Sequence, residues 1–178
     1  MSTVEFRFLA RNELDTTSLG SFIAGALQPG DVVGLVGNLG AGKTRLVKAI
    51  AGGLGADSND VTSPTFVLIQ EYAGRLRLYH FDTYRLADSD EFLSLGADEL
   101  LYGDGVCMVE WSDRVADVLP DDLLRIEIEH VGETKRLFDF SASGRRSNEL
   151  LDHIVGTLTS CDDSAEVDGQ WLIQRDME

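Results

Sequence analysis

The sequence predicts an α/β fold: a three-layer domain with a mixed parallel/antiparallel sheet. Three observations predict it. Val32–Val36 (VVGLV) and Val106–Val109 are unbroken apolar runs, as strands buried on both faces are. Amphipathic segments of helical period stand beside them. Two further pairs of strand-like runs are joined by short turns containing glycine, which marks antiparallel hairpins added to a parallel core.

Each element follows in order. Val4–Phe8 alternates apolar and polar residues and reads as a strand. Asn12, Asp15 and Thr16 offer N-caps for a helix through about Leu27, with Leu19, Phe22, Ile23 and Leu27 on one face. Pro29-Gly30 is a turn before the Val32–Val36 strand. A glycine-rich loop, Gly37–Gly42, leads into a helix from Lys43 to about Leu54. That helix carries Leu46, Val47 and Ile50 and stops at the glycines that follow.

The polar segment Asp57–Pro64 is too short of apolar residues to be core. Phe66–Tyr72 and Arg75–Asp82 flank Ala73-Gly74 as one hairpin. Asp88-Ser89-Asp90-Glu91 matches a capping box and starts a short helix. Gly103–Gly105 turns into the Val106–Val109 strand, which ends at Glu110-Trp111. A short helix fills Asp113–Leu119. Leu123–His130 and Lys135–Phe140 form the second hairpin. Ser147–Thr159 reads as a helix, with Leu150, Leu151, Ile154, Val155 and Leu158 at helical spacing. The expected organisation is a domain over 1–144, then a C-terminal helix and acidic tail over 145–178.

Composition narrows the function classes. The chain has 178 residues and a formal net charge of −16. Such a surface repels a phosphate backbone and disfavours unaided binding of RNA or DNA. No stretch approaches the roughly 18 apolar residues of a membrane span. The N-terminus lacks the basic-then-apolar pattern of a signal peptide, so a cytoplasmic location is expected. Cys107 and Cys161 form no CxxC, and the histidines stand far apart, which argues against structural zinc and a disulfide framework.

The chemistry concentrates in Gly37-Asn38-Leu39-Gly40-Ala41-Gly42-Lys43-Thr44, which satisfies G-x-x-x-x-G-K-[ST]. Glycines let successive N–H groups turn inward around a phosphate, and the following helix adds its positive end. Lys43 neutralises β- and γ-phosphates, and the Thr44 hydroxyl ligates Mg²⁺. The octet follows a buried strand and opens an amphipathic helix, the context of a P-loop NTPase domain. Glu110 ends an apolar strand as a Walker B acid does, where it reaches Mg²⁺ directly or through water. Asp82 ends another strand and is a second candidate for the metal shell or for polarising water. Thr62, Ser63 and Thr65 read first as a polar turn fixed by Pro64, although many P-loop proteins sense a γ-phosphate at this place in the chain. Trp111 and His80 are read first as packed side chains.

The blocks GNLGAGKT, VTSPTF, YHFDTYRL and VEW, in that order and spacing, resemble the bacterial tRNA threonylcarbamoyladenosine biosynthesis ATPase family (TsaE/YjeE). The resemblance spans about Leu14 to Phe140. Asn38, Thr83 and Ser112-Asp113 depart from the usual pattern, and none of them removes a phosphate or metal ligand. The resemblance implies ATP and Mg²⁺ as cofactors, with Thr44 and Glu110 as metal ligands. Lys43, Asp82 and Glu110 are the expected catalytic residues. The segments around Glu13 and Gly132–Arg136 are similar to parts lining the adenine side. The implied partners are the threonylcarbamoyl-transfer proteins of TsaB and TsaD type, with tRNA engaged only through that complex. Two rivals are a small P-loop kinase and a GTPase-like switch. The chain has no obvious arginine-rich lid, and no N-K-x-D guanine motif.

Overall fold

The structure, a computed structural model, describes residues 6–57, 61–64 and 67–162. Its elements are β1 (Phe6–Ala10), α1 (Glu13–Ala26), β2 (Val32–Val36), α2 (Lys43–Gly53), β3 (Ile69–Tyr72), β4 (Leu78–Asp82), α3 (Ser89–Ser94), α4 (Ala97–Leu101), β5 (Val106–Glu110), a 3-10 helix (Ser112–Val118), β6 (Leu124–His130), β7 (Arg136–Ala142) and α5 (Arg145–Asp162). They build one seven-stranded mixed sheet of order β1-β7-β6-β2-β5-β4-β3. β6, β2, β5 and β4 run parallel, while β3, β7 and β1 add at the two edges as antiparallel neighbours.

The unbroken apolar runs are explained by cover on both faces. Along β2 and β5, Val33, Leu35, Val106 and Met108 enter a core shared with α1, α2 and α5. Val32, Cys107 and Val109 point the other way, among Phe92, Leu101 and Val115 of α3, α4 and the 3-10 helix. Each such side chain contributes about 1.5–3 kcal/mol by leaving water. β1 and β7 alternate instead, because one face meets solvent: Phe6, Phe8, Phe138 and Phe140 are buried, whereas Arg7 and Asp139 pair at 2.6 Å on the outer face.

α1 starts at Asn12, whose side chain accepts from Asp15 N–H at 3.0 Å, while Asp15 reaches back to Arg11 N–H at 2.7 Å. It lies close against α2. A Cβ on Gly20 would stand 2.3 Å from Ala49 Cβ, so the absent side chain sets that spacing. α5 begins where Asp122 accepts from the backbone N–H of Arg146 and Ser147, both at 2.8 Å. Its Leu150, Leu151, Ile154 and Leu158 join the same core as β1 and α1.

Several elements differ from the sequence expectation. The first strand runs Phe6–Ala10 rather than Val4–Phe8; positions 4 and 5 lie outside the described residues, and antiparallel register with β7 carries the strand on to Ala10. β3 starts only at Ile69, because Leu68 is left-handed (φ 66°) and breaks the extended chain. Phe66 is outside the described residues. β4 starts at Leu78, not Arg75, because Arg75 turns away to donate to the carbonyls of Leu54 and Ala24. The segment after Trp111 is a 3-10 helix, and α4 was not foreseen at all.

Candidate functional site

The site grows from three strand ends on one rim of the sheet. β2 runs straight into the glycine loop, which delivers Lys43 and Thr44 to the first turn of α2. Gly37, Gly40 and Gly42 hold φ values of 148°, 78° and 115°, conformations that side-chain-bearing residues rarely adopt. Gly37 is also sterically required, since a Cβ there would meet Ile128 O at 2.4 Å. The α2 N-terminus has no side-chain cap, leaving its amides to face the loop.

β4 and β5 are paired so that Asp82 stands directly opposite Glu110. Both are nearly fully buried. Thr44 Oγ1 donates to Glu110 Oε1 at 2.7 Å, which ties the P-loop to the end of β5. Ser63 Oγ donates to Asp82 Oδ2 at 2.7 Å, and Tyr84 N–H donates to Asp82 Oδ1 at 3.0 Å. Lys43 Nζ donates to the carbonyls of Gly37 (2.7 Å) and Asn38 (3.1 Å) and sits 3.6 Å above the Trp111 ring. Burial lowers the Lys43 pKa, an effect opposed by the nearby charges of Glu110, Asp82 and Asp113.

Trp111 is left-handed (φ 59°) and packs on Tyr84 with ring centroids 4.8 Å apart. Its turn is held by Thr83, which is fully buried and whose Oγ1 lies 3.0 Å from Glu110 O and 2.8 Å from Trp111 O. Thr83 therefore serves the site's geometry from a position where the related pattern has leucine.

A cavity of about 470 Å³ opens here, lined by Gly40, Lys43, Thr44, Ser63, Asp82 and Glu110 among others. A second hollow of about 260 Å³ adjoins it through Gly40, Gly42 and Arg45. Glu13, Thr134, Arg136 and Phe138 line this one. Arg136 Nε donates to Ala41 O at 2.9 Å, and Glu13 pairs with Arg45 at 2.6 Å. Both segments expected at the adenine side thus border one hollow next to the glycine loop. The two spaces together have the size and shape to take an extended nucleotide.

The donor set suits Mg²⁺. Thr44 gives its proton to Glu110, so its oxygen lone pairs are left for a cation. Glu110 and Asp82 add hard carboxylate oxygens. Among the described residues no three His, Cys, Asp or Glu side chains converge into a metal cage. A site with so few protein ligands matches an ion that keeps waters and takes phosphate oxygens.

The structure brings together Asn38, Leu39, Gly40, Ala41, Gly42, Lys43, Thr44, Asp82 and Glu110 around the loop, with Glu13 and Arg136 at the second hollow. Ser63 joins them, whereas Thr65 lies outside the described residues. His80 is a packed strand histidine, as expected, and it also contacts Glu110, while Trp111 lies against Lys43. Arg45, Tyr84 and Arg85 also line the first cavity and were missed. Their signal was position alone, one residue beyond Thr44 and two or three beyond Asp82.

Comparison with known proteins agrees with this geometry. The sequence model of the family described as "Threonylcarbamoyl adenosine biosynthesis protein TsaE" matches residues 10–138. The chain is 45% identical over 130 residues to the tRNA threonylcarbamoyladenosine biosynthesis protein TsaE of Treponema pallidum, covering 73% of this chain and 96% of that one. It is 42% identical over 144 residues to the Bacillus subtilis protein of the same name, covering 80% and 89% respectively. The crystal structure of YdiB from Bacillus subtilis superposes with a TM-score of 0.72 at 37% identity, covering 85% of this chain and 94% of that one. The chain belongs to the TsaE family of threonylcarbamoyl adenosine biosynthesis proteins, with the α/β fold of a P-loop NTPase.

Proposed function

We propose that this chain is a Mg²⁺-dependent ATPase that supports threonylcarbamoyladenosine formation next to the anticodon of tRNA. It acts in the cytoplasm on the threonylcarbamoyl-transfer proteins of TsaB and TsaD type, and meets tRNA only through them. The observation that carries the ATPase reading is the 2.7 Å bond from Thr44 Oγ1 to Glu110 Oε1, which closes a P-loop onto a strand-end acid. The pathway reading rests on relatives named as tRNA threonylcarbamoyladenosine biosynthesis proteins.

Each residue has a distinct task. The glycine-loop amides and the α2 N-terminus bind the phosphates, and the Lys43 ammonium stands beside them for the β- and γ-phosphoryl oxygens. Thr44 and Glu110 would hold Mg²⁺, whose charge offsets the negative charge on the triphosphate. Asp82 has both oxygens fixed, by Ser63 and by the Tyr84 amide, so it presents a rigid acceptor for a water proton. Glu13, Arg136 and Phe138 border the space for the base.

The test reconstitutes threonylcarbamoyl transfer to tRNA with the partner proteins plus either wild type or Lys43→Ala. Lys43→Ala should lose tight ATP binding, because a fixed positive charge at the phosphates is gone. Multiple-turnover modification should fall at least tenfold. Equal modification with both proteins refutes the role, and unchanged ATP affinity by calorimetry refutes the phosphate-loop assignment.

A further inference from the structure

We infer that His80 is a positioning residue: its Nε2–H holds the Glu110 carboxylate in the orientation that Mg²⁺ needs. The inference rests on the ATPase reading above. His80 is fully buried in β4, on the sheet face that also carries Leu78 and Asp82. Its Nε2 lies 2.8 Å from Glu110 Oε1, the same oxygen that receives the Thr44 hydroxyl at 2.7 Å. Both partners must donate, because an ionised carboxylate only accepts. The hydrogen-bond pattern therefore places a proton on Nε2.

Two donors saturate Oε1. Among the described residues nothing donates to Oε2, which is left for the metal shell. With Thr44 alone, the carboxylate could still turn about its last torsion, which is soft. Two donors from different elements, α2 and β4, remove that freedom.

A packing role does not account for His80. Its Nδ1 is buried and has no hydrogen-bond partner among the described residues. Leaving a polar atom so placed is destabilising, which a leucine or phenylalanine at this position would avoid. Tyr72 is its aromatic neighbour, with ring centroids 6.2 Å apart, and needs no imidazole there. The Glu110 bond is what the imidazole adds. Histidines that ligate metals are themselves oriented by carboxylates; here the relation is inverted, with a histidine orienting the carboxylate.

The test compares His80→Gln with His80→Asn and His80→Phe. A glutamine amide reaches about as far as Nε2, whereas an asparagine amide stops near Nδ1. Calorimetry with a non-hydrolysable ATP analogue, with Mg²⁺ and with EDTA, gives the affinity gain due to metal. Steady-state hydrolysis gives the half-saturating Mg²⁺ concentration. We expect His80→Asn and His80→Phe to lose about 10–100-fold in Mg²⁺ response. Their affinity for the analogue in EDTA should stay within about twofold of wild type, as expected where no phosphate contact is lost. His80→Gln should recover most of the loss. If His80→Phe does not fold, the two amides, alike in polarity and different in reach, decide the matter. Equal Mg²⁺ responses in His80→Gln and His80→Asn overturn the inference and leave the ATPase reading intact. A wild type whose nucleotide affinity ignores Mg²⁺ overturns both.

Discussion

Single residues carry the site, and their legibility depended on how far apart their partners lie in the chain. Lys43, Thr44 and Glu110 could be read because a phosphate loop and a strand-end acid have local patterns. His80, Ser63 and Trp111 carry weaker signals and read first as packing or a turn. Their meaning comes from a side chain on another segment, such as Glu110 on the neighbouring strand for His80 or Asp82 for Ser63, and no local spacing encodes that. Cys107 is a small buried side chain, with Sγ 3.3 Å from Leu100 O. Burial pushes its pKa up from 9.0 to about 12. The thiol is protonated in both folded and unfolded states below pH 9, where it adds no pH dependence. Above that the unfolded chain releases a proton that the folded chain keeps, so stability falls as pH rises toward about 12. The stability difference between wild type and Cys107→Ala, from denaturant unfolding, should therefore shift against wild type between about pH 8 and 10. A difference independent of pH would remove burial as the cause.

At the scale of elements, central strands were legible and their boundaries at the edges were not. β2 and β5 announce themselves because both faces are covered. β3 and β4 begin late for reasons outside their own sequence: the left-handed Leu68, and the docking of Arg75 onto the carbonyl of Leu54. The junction of α5 with β2 rests on one ion pair that no pattern revealed. Arg146 grips Asp31 with two bonds of 2.8 and 2.7 Å and also donates to Ala26 O, while Asp31 is only 5% exposed. Arg146→Met keeps much of the side-chain volume and strands a buried carboxylate. The expected loss is about 3–5 kcal/mol of unfolding free energy. Urea titration measures it, and a loss below about 1 kcal/mol, the range of an exposed pair, would show that the pair is effectively solvated.

The whole molecule is defined by its charge as much as by its fold. At −16, its net charge opposes a polyanion. Gel-shift titration of this chain alone against tRNA at low salt, where electrostatic binding is strongest, should give no complex at micromolar protein. A salt-sensitive complex at that concentration would place tRNA recognition on this chain and not on its partners.

Order of synthesis meets a constraint in the sheet. β1 leaves the ribosome long before β7, yet it sits at the sheet edge beside it, with Phe6 opposite Phe140 and Ala10 opposite Arg136. At usual elongation rates the interval between the two strands is on the order of ten seconds. Through that interval Phe6 and Phe8 have no strand to pair with. The hollow that takes Glu13 from one end and Arg136 from the other is equally unfinished. β6 and β7 are close in the chain and pair locally, whereas β1 pairs with β7 only across the whole domain. The nascent protein thus gathers Thr44 and Glu110 before it can enclose a nucleotide base, and of the described strands β1 waits longest for its partner.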